Sequence, residues 1–375
     1  RKGSGLPVRI PVIEMVEIGA GGGSVAQVDK LGRIQVGPES AGSEPGPAAY
    51  GRGGERPTVT DADLQLGRVC AKTFAGGSFA LDTDASEKAL AAKVAGPLGL
   101  ELDLAAFGVS EVVDENMAAA ARAHAAEFGM DLASRDMVAF GGAAPLHAVR
   151  LGEKLGVGRI IVPAEAGVGS AVGFLLAPVA YEVVRSRRQK LSELDHEVVN
   201  RLMGEMHAES LAVVSQGSSG KTLHEARHAY MRYVGQGHEI LVSLPLEKYT
   251  QAHQEVFRRA FEAAYTRLYG RTMAGIDIEV LSWTLTLSEP AGEPVSAPPA
   301  PSATRPPLKP EQQRLFDPGV EKFVDARVFL RSDLTAGDLV EGPALITEDQ
   351  TTTVVTSGWS ATVGHGGHLV LEKRL

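Results

Sequence analysis

The stretch DMVAFGGAAPLHAVRLGEKLGVGRIIVP, residues 136–163, constrains the fold more than any other part of the chain. An apolar run at Met137–Phe140 meets a Gly-Gly turn. A segment of helical character follows over about 144–155, and a second strand-like run lies at Arg159–Val162. Strand, turn, helix and strand in that order make a β-turn-α-β unit, which implies parallel strands in an α/β sheet. Gly141, Gly142 and Ala143 then stand between a strand and a helix N-terminus, where amides and the helix dipole favour anionic or polar ligand groups. Missing side chains there let a flat ring lie on the backbone. A tight βα turn with no ligand uses the same residues, so both readings stand.

Around this unit, residues 8–36 read as strands: PVRIPVIEMVEI is rich in β-branched residues, and VAQVDKLGRIQV turns at Lys30–Gly32. Residues 37–58 form a long Gly/Pro/Ser loop, of a length that is usually functional or disordered. Helices are expected at about 84–98 and at 110–129, the latter with Ser110 as N-cap and Gly129 as its stop. A helix near 194–214, a hairpin in EARHAYMRYVGQGHEILVSL, an amphipathic helix ending at Gly270 and a strand in IDIEVLSWTLTL make an α+β region over 191–290. Residues 291–312 are a Pro/Ala/Ser linker, and 313–375 read as a small β module.

Composition narrows the function classes. The chain has 375 residues, 44% hydrophobic and 22% charged, enough for two or three domains of a globular protein. A net charge of −9 argues against a nucleic-acid binder. One cysteine, Cys70, permits neither an internal disulfide nor a thiolate cluster, which fits a reducing compartment. The longest uncharged stretch after Glu165, up to Tyr181, is broken by Pro178 and too short to span a bilayer. The expectation is a cytoplasmic protein with no membrane or nucleic-acid partner. The absence of an initiating Met suggests a fragment or a processed subunit.

Three further motifs invite chemistry. In GAGGGS, Gly21, Gly22 and Gly23 let backbone amides approach a phosphate and Ser24 adds a hydroxyl; equally, the glycines relieve crowding where a strand crosses a neighbour. A hairpin rather than a helix follows, which disfavours a dinucleotide-binding fingerprint. In PTVTDADL, Asp61 and Asp63 stand two apart; on a strand they share a face and could hold Mg²⁺ or orient a water, whereas Asp61 could also simply cap a helix. The pairs His224/His228 and His365/His368 lack a third ligand nearby, so the metal ligands are unknown.

IGAGGGSVAQVD, VGPESAGSEPGPAAYGRGGERPTVTDADLQLGR, AFGGAAPLHAVRLGEKLGV, RIIVPAEAGVGSAVGF, RYVGQGHEILV and GPALITEDQTTTVV occur in this order, and the chain thereby resembles the hydantoinase/oxoprolinase family. That family includes ATP-dependent N-methylhydantoinase A subunits, 5-oxoprolinases and acetone and acetophenone carboxylase subunits. The resemblance implies an ASKHA-like α/β lobe over 1–190, of the actin, sugar kinase and Hsp70 type, with ATP and Mg²⁺ as cofactors. It makes Gly141 and Gly142 adenosine-side contacts and places GAGGGS near the phosphates. The implied reaction is ATP-driven opening of a cyclic amide or imide ring through carbonyl phosphorylation. The alternatives are an ATP-dependent ketone carboxylase subunit and a non-catalytic assembly module. The partners implied are a hydantoinase B-type subunit, an N-terminal segment carrying the phosphate motifs, and the small-molecule substrate. Two departures stand out: Asp63 replaces an amide in the usual TDAN, and Ala49 replaces the usual Cys of PGPACYG.

Overall fold

A computed structural model describes residues 15–71, 74–218, 220, 222–290 and 311–374. In chain order, β1 (Ser24–Val28) and β2 (Ile34–Ser40) form an antiparallel hairpin. Its turn is held by the Asp29 carboxylate, which accepts from the amides of Leu31 and Arg33. Helices α1 (Val59–Gln65), α2 (Thr83–Leu90), α3 (Gly96–Leu98) and α4 (Leu102–Glu127) follow. Then come β3 (Met137–Val138), α5 (Ala144–Leu155), β4 (Arg159–Val162) and α6 (Gly169–Leu176). Strands β3 and β4 pair in parallel, Met137 with Ile160, so the β-turn-α-β unit is present.

The next stretch is β5 (Ala180–Lys190), α7 (His196–Val214), β6 (His224–Tyr233), β7 (Ile240–Leu244), α8 (His253–Tyr269) and β8 (Ile278–Ser288). Its antiparallel sheet runs β5-β8-β6-β7, and residues 176–290 form one compact unit. Alternation along β6 and β8 drives Ala229, Met231, Tyr233, Val280, Trp283 and Leu285 into a core with Met203 and Met206 of α7 and Phe257 and Phe261 of α8. Asp195 caps α7 through the Val198 amide, and Gly270, at φ +73°, ends α8.

The last described stretch is β9 (Glu311–Asp317), β10 (Lys322–Leu330), β11 (Leu339–Glu341), β12 (Ala344–Thr347), β13 (Thr352–Val355), β14 (Trp359–Val363) and β15 (Leu369–Lys373). It is not a separate module. Strand β15 pairs antiparallel with β4, Leu369 opposite Val162 through Glu372 opposite Arg159, in a five-stranded sheet of order β11-β14-β15-β4-β3. The physical reason lies in β4: Ile160 and Val162 are fully buried, and β3 covers only one edge of the strand. Residues 311–374 therefore belong to the unit containing 15–175. Strand β5 likewise moves residues 180–190 out of the expected 1–190 lobe. The expected linker lies outside the described residues except at 311 and 312, which open β9.

Other expectations change. Of the strand expected over 8–18, residues 8–14 lie outside the described set, and 15–18 form no strand, with Met15 and Val16 exposed. Helix α4 starts eight residues before Ser110, because Ala105, Ala106 and Val109 already face the core; Ser110 is buried inside it and caps nothing. Residues 41–58 lack long elements yet are held in place: Ala48–Tyr50 is a 3₁₀ turn whose first two amides bond Asp61. Among the described residues, no helix is long and apolar enough to cross a membrane.

Candidate functional site

Within the unit formed by 15–175 and 311–374 lies a cavity of about 390 Å³. Gly22 and Gly23 form part of one wall, Gly142 and Ala143 another, and the β12–β13 turn, Thr347–Thr352, a third. Tyr50, Val69, Phe74 and Leu146 supply apolar surface, and Cys70 and Asp63 also line the space. Three motifs that are far apart in sequence thus meet.

Local geometry explains how. Gly141 has φ +116°, a conformation suited to glycine, and its amide bonds the Ala166 carbonyl at 2.7 Å. The chain then turns into α5, and the Thr351 hydroxyl donates to the Gly142 carbonyl at 2.8 Å, tying the β12–β13 turn to the Gly-Gly turn. A Cβ on Gly142 would lie 3.5 Å from the nearest atom, the Gln350 carbonyl oxygen, so the wall is thin here because a side chain is absent. At the Gly22 wall, the Thr60 amide and hydroxyl both donate to the Gly22 carbonyl, at 2.8 and 2.9 Å.

The expected GAGGGS contacts separate. Gly22 and Gly23 reach the cavity, while Gly21 and Ser24 are not among its lining residues. The Ser24 hydroxyl accepts from the Gly21 amide at 3.0 Å and donates to the Gly19 carbonyl at 3.3 Å, so it is consumed within its own turn. Gly141 does not line the cavity either; its part is to shape the turn that presents Gly142 and Ala143.

Asp61 and Asp63 sit on a helix, not a strand. Asp61 is the third residue of a capping box with Thr58, and its carboxylate accepts from Thr58 N, Thr58 Oγ1, Ala49 N and Ala48 N at 2.7–3.3 Å. It is fully buried and absent from the cavity lining, so the expected chemical role is corrected to a structural one.

Asp63 does reach the cavity, backed by a buried cluster. Its Oδ1 accepts from Arg68 Nη1 at 3.0 Å and its Oδ2 from His147 Nε2 at 3.1 Å. His147 Nδ1 lies 2.8 Å from Asp114 Oδ1. Arg68 Nη1 also donates to Ser110 Oγ at 2.7 Å. Gly67, at φ +71°, ends α1 and turns Arg68 back over Asp63. Burial would push His147 toward its neutral form, but the charges of Asp63 and Asp114 and the hydrogen bonds to both outweigh it and raise its pKa to about 10. Burial would raise Asp63, yet His147 and Arg68 hold it below the usual carboxylate range. The imidazolium donates from both nitrogens, and two anions face two cations.

Arg68, Ser110, Asp114, His147 and the Thr347–Thr352 turn belong to the candidate site, and the sequence analysis had assigned none of them to it. The signals were present in TDADLQLGR, PLHA and TEDQTT, but only spatial contact gives them a role.

Electrostatics limit the ligand. Asp63, Glu348 and Asp349 line the cavity, with no basic side chain among its described lining residues. Burial raises the Glu348 carboxyl above its ordinary pKa, partly countered by Arg331. Such walls suit a ligand portion with N–H and O–H donors and oppose a naked polyphosphate. Among the described residues, no group of three or more His, Cys, Asp or Glu side chains could hold a metal ion. Of the two carboxylates that the sequence offers for Mg²⁺, Asp63 already turns both oxygens to cations, and Asp61 is spent on its capping box.

Comparison with known proteins agrees with the sequence motifs. The hydantoinase/oxoprolinase family matches residues 2–183, and the hydantoinase/oxoprolinase C-terminal domain matches 188–372. The chain is 29% identical over 360 residues to caprolactamase subunit alpha of Pseudomonas jessenii, covering 94% of this chain and 51% of that one. It is 30% identical over 391 residues to the acetophenone carboxylase gamma subunit of Aromatoleum aromaticum, covering 97% and 51%. Its mixed α/β fold matches a nucleotide-free acetone carboxylase structure with a TM-score of 0.78 at 28% identity, covering 94% and 52%. The chain thus spans about half the length of these relatives. With family matches over nearly all of its residues, the chain belongs to the hydantoinase/oxoprolinase family.

Proposed function

We propose that this chain is the C-terminal portion of an ATP-dependent cyclic amide or imide hydrolase of the hydantoin or 5-oxoproline type, and that its cavity takes the adenosine end of ATP in an ASKHA-like lobe. The observation that carries this reading is the cavity itself. Its Gly22–Gly23 and Gly142–Ala143 walls carry almost no side chain, apolar groups flank them, and the polar lining is acidic. A volume of about 390 Å³ lies in the range of small-molecule sites. A flat base fits against bare backbone, and carboxylates accept from its amino group or from ribose hydroxyls. The same acidic lining puts the phosphates outside the cavity, against groups that other segments supply.

ATP, when bound, supplies the driving force that makes an amide carbonyl susceptible to water. The residues described here bind and orient. Gly142 and Ala143 leave room for the ring, Asp63 stands as an ionised acceptor, and Val69, Phe74 and Leu146 keep water from that face. The phosphate-contacting motifs come from an N-terminal segment, and a hydantoinase B-type partner completes the reaction. Support comes from the half-length match and from relatives named as subunits.

Calorimetric titration of the 375-residue chain with adenosine and with ATP tests the site. Binding of adenosine is expected, and failure of both ligands to bind refutes the reading. With the N-terminal segment and partner supplied, ATP turnover should respond to caprolactam, hydantoins or 5-oxoproline. A response confined to acetone or acetophenone would move the chain to the carboxylase side of its family.

A further inference from the structure

We propose that His147 is a positioning residue that pins the Asp63 carboxylate on the cavity wall and locks α5 against α1 and α4. This rests on reading the cavity as a ligand site. Among the described residues, the charged groups in contact with the imidazole are Asp63 from α1, Arg68 just beyond it, and Asp114 from α4. His147 lies five residues after Gly142, in the second turn of the helix whose start forms a cavity wall. One ring therefore fixes two walls at once, through contacts of 3.1 Å to Asp63 and 2.8 Å to Asp114.

Replacing a buried ion cluster by well-packed apolar side chains is often neutral or stabilising, so stability alone gives this cluster little reason to exist. Here one member lines the cavity, and its two neighbouring cations both act on that carboxylate. The imidazolium touches no lining space itself, so it works through Asp63. It keeps the carboxylate ionised, and among the described residues only Arg68 and His147 donate to it, which leaves it capacity to accept from a ligand.

His147→Gln tests this, with Asp114→Asn/His147→Gln as the charge-balanced version that keeps the Asp63–Arg68 pair should the single variant fold poorly. The Asp63 carboxyl, followed by carbon-13 NMR with Asp63→Asn for assignment, should titrate about one pH unit higher in either variant than in the wild type. Adenosine affinity should fall roughly tenfold, and on acidification it should weaken at a pH about one unit higher than in the wild type. An unchanged Asp63 titration in a folded variant overturns the proposal. Wild-type protein that binds no adenosine would instead overturn the nucleotide reading, and the carboxyl titration would still decide the role of His147.

Discussion

Asp61 and Asp63 stand two positions apart on α1, and only Asp63 lines the cavity. Asp61 satisfies three backbone amides and a hydroxyl in a site closed to solvent. Asp61→Ala should therefore cost about 3 kcal/mol or more in urea unfolding, since buried donors left unpaired cost about 1–3 kcal/mol each. Asp63 is held by Arg68 and His147, and removing His147 alone should cost about 3–5 kcal/mol because it leaves buried carboxylates uncompensated. The pH dependence follows from the directions of the shifts. His147 is raised from 6.5 to about 10, so its contribution is complete below about pH 6.5 and lost as pH rises through about 10. Asp63 is lowered from 3.8, so its contribution is complete above that value and lost as pH falls through its folded value. The melting-temperature gap between wild type and Asp114→Asn/His147→Gln should accordingly shrink from pH 6 to pH 10. A constant gap would mean that the imidazole is neutral throughout.

At the scale of elements, the β3–α5–β4 unit was legible because its apolar spacing and glycine punctuation act locally. The hairpin, α7, α8 and β8 were legible for the same reason. The start of α4 was not: its first turns are covered by the β1–β2 hairpin and α1, and only that packing reveals them. The approach is close enough that a Cβ on Gly108 would sit 2.6 Å from the tip of Ile34. Nor was the Asp63–His147–Asp114 cluster legible, since its members come from three helices 33 to 84 positions apart. The end of α1 gives a direct test. Gly67 has φ +71°, and a Cβ there would meet the Arg314 carbonyl oxygen at 2.0 Å. Gly67→Ala should destabilise the unit by about 2 kcal/mol or more in urea unfolding, because both the left-handed backbone and the contact oppose it.

For the molecule as a whole, the most consequential difference from the sequence reading concerns the tail. Residues 311–374 supply the β15 partner of β4 and the Thr347–Thr352 wall of the cavity. Periodicity showed the strands, but sheet partners across more than 200 positions leave no local trace. A chain truncated after residue 310 should lose both cooperative unfolding of that unit and adenosine binding. Retention of both would restore the independent module. Within the unit, Gly142→Val should lower adenosine affinity at least tenfold with little change in melting temperature, because the added Cβ makes one ordinary contact, with the Gln350 carbonyl oxygen at 3.5 Å, and the rest of the side chain takes up cavity space.

Cys70 offers the most direct view of the central claim, as the chain's single cysteine and a lining residue of the cavity. Its rate of alkylation by a small thiol reagent should fall several-fold when adenosine or ATP is added at saturation. A rate that stays the same while the ligand is bound would place the nucleotide elsewhere and contradict the account.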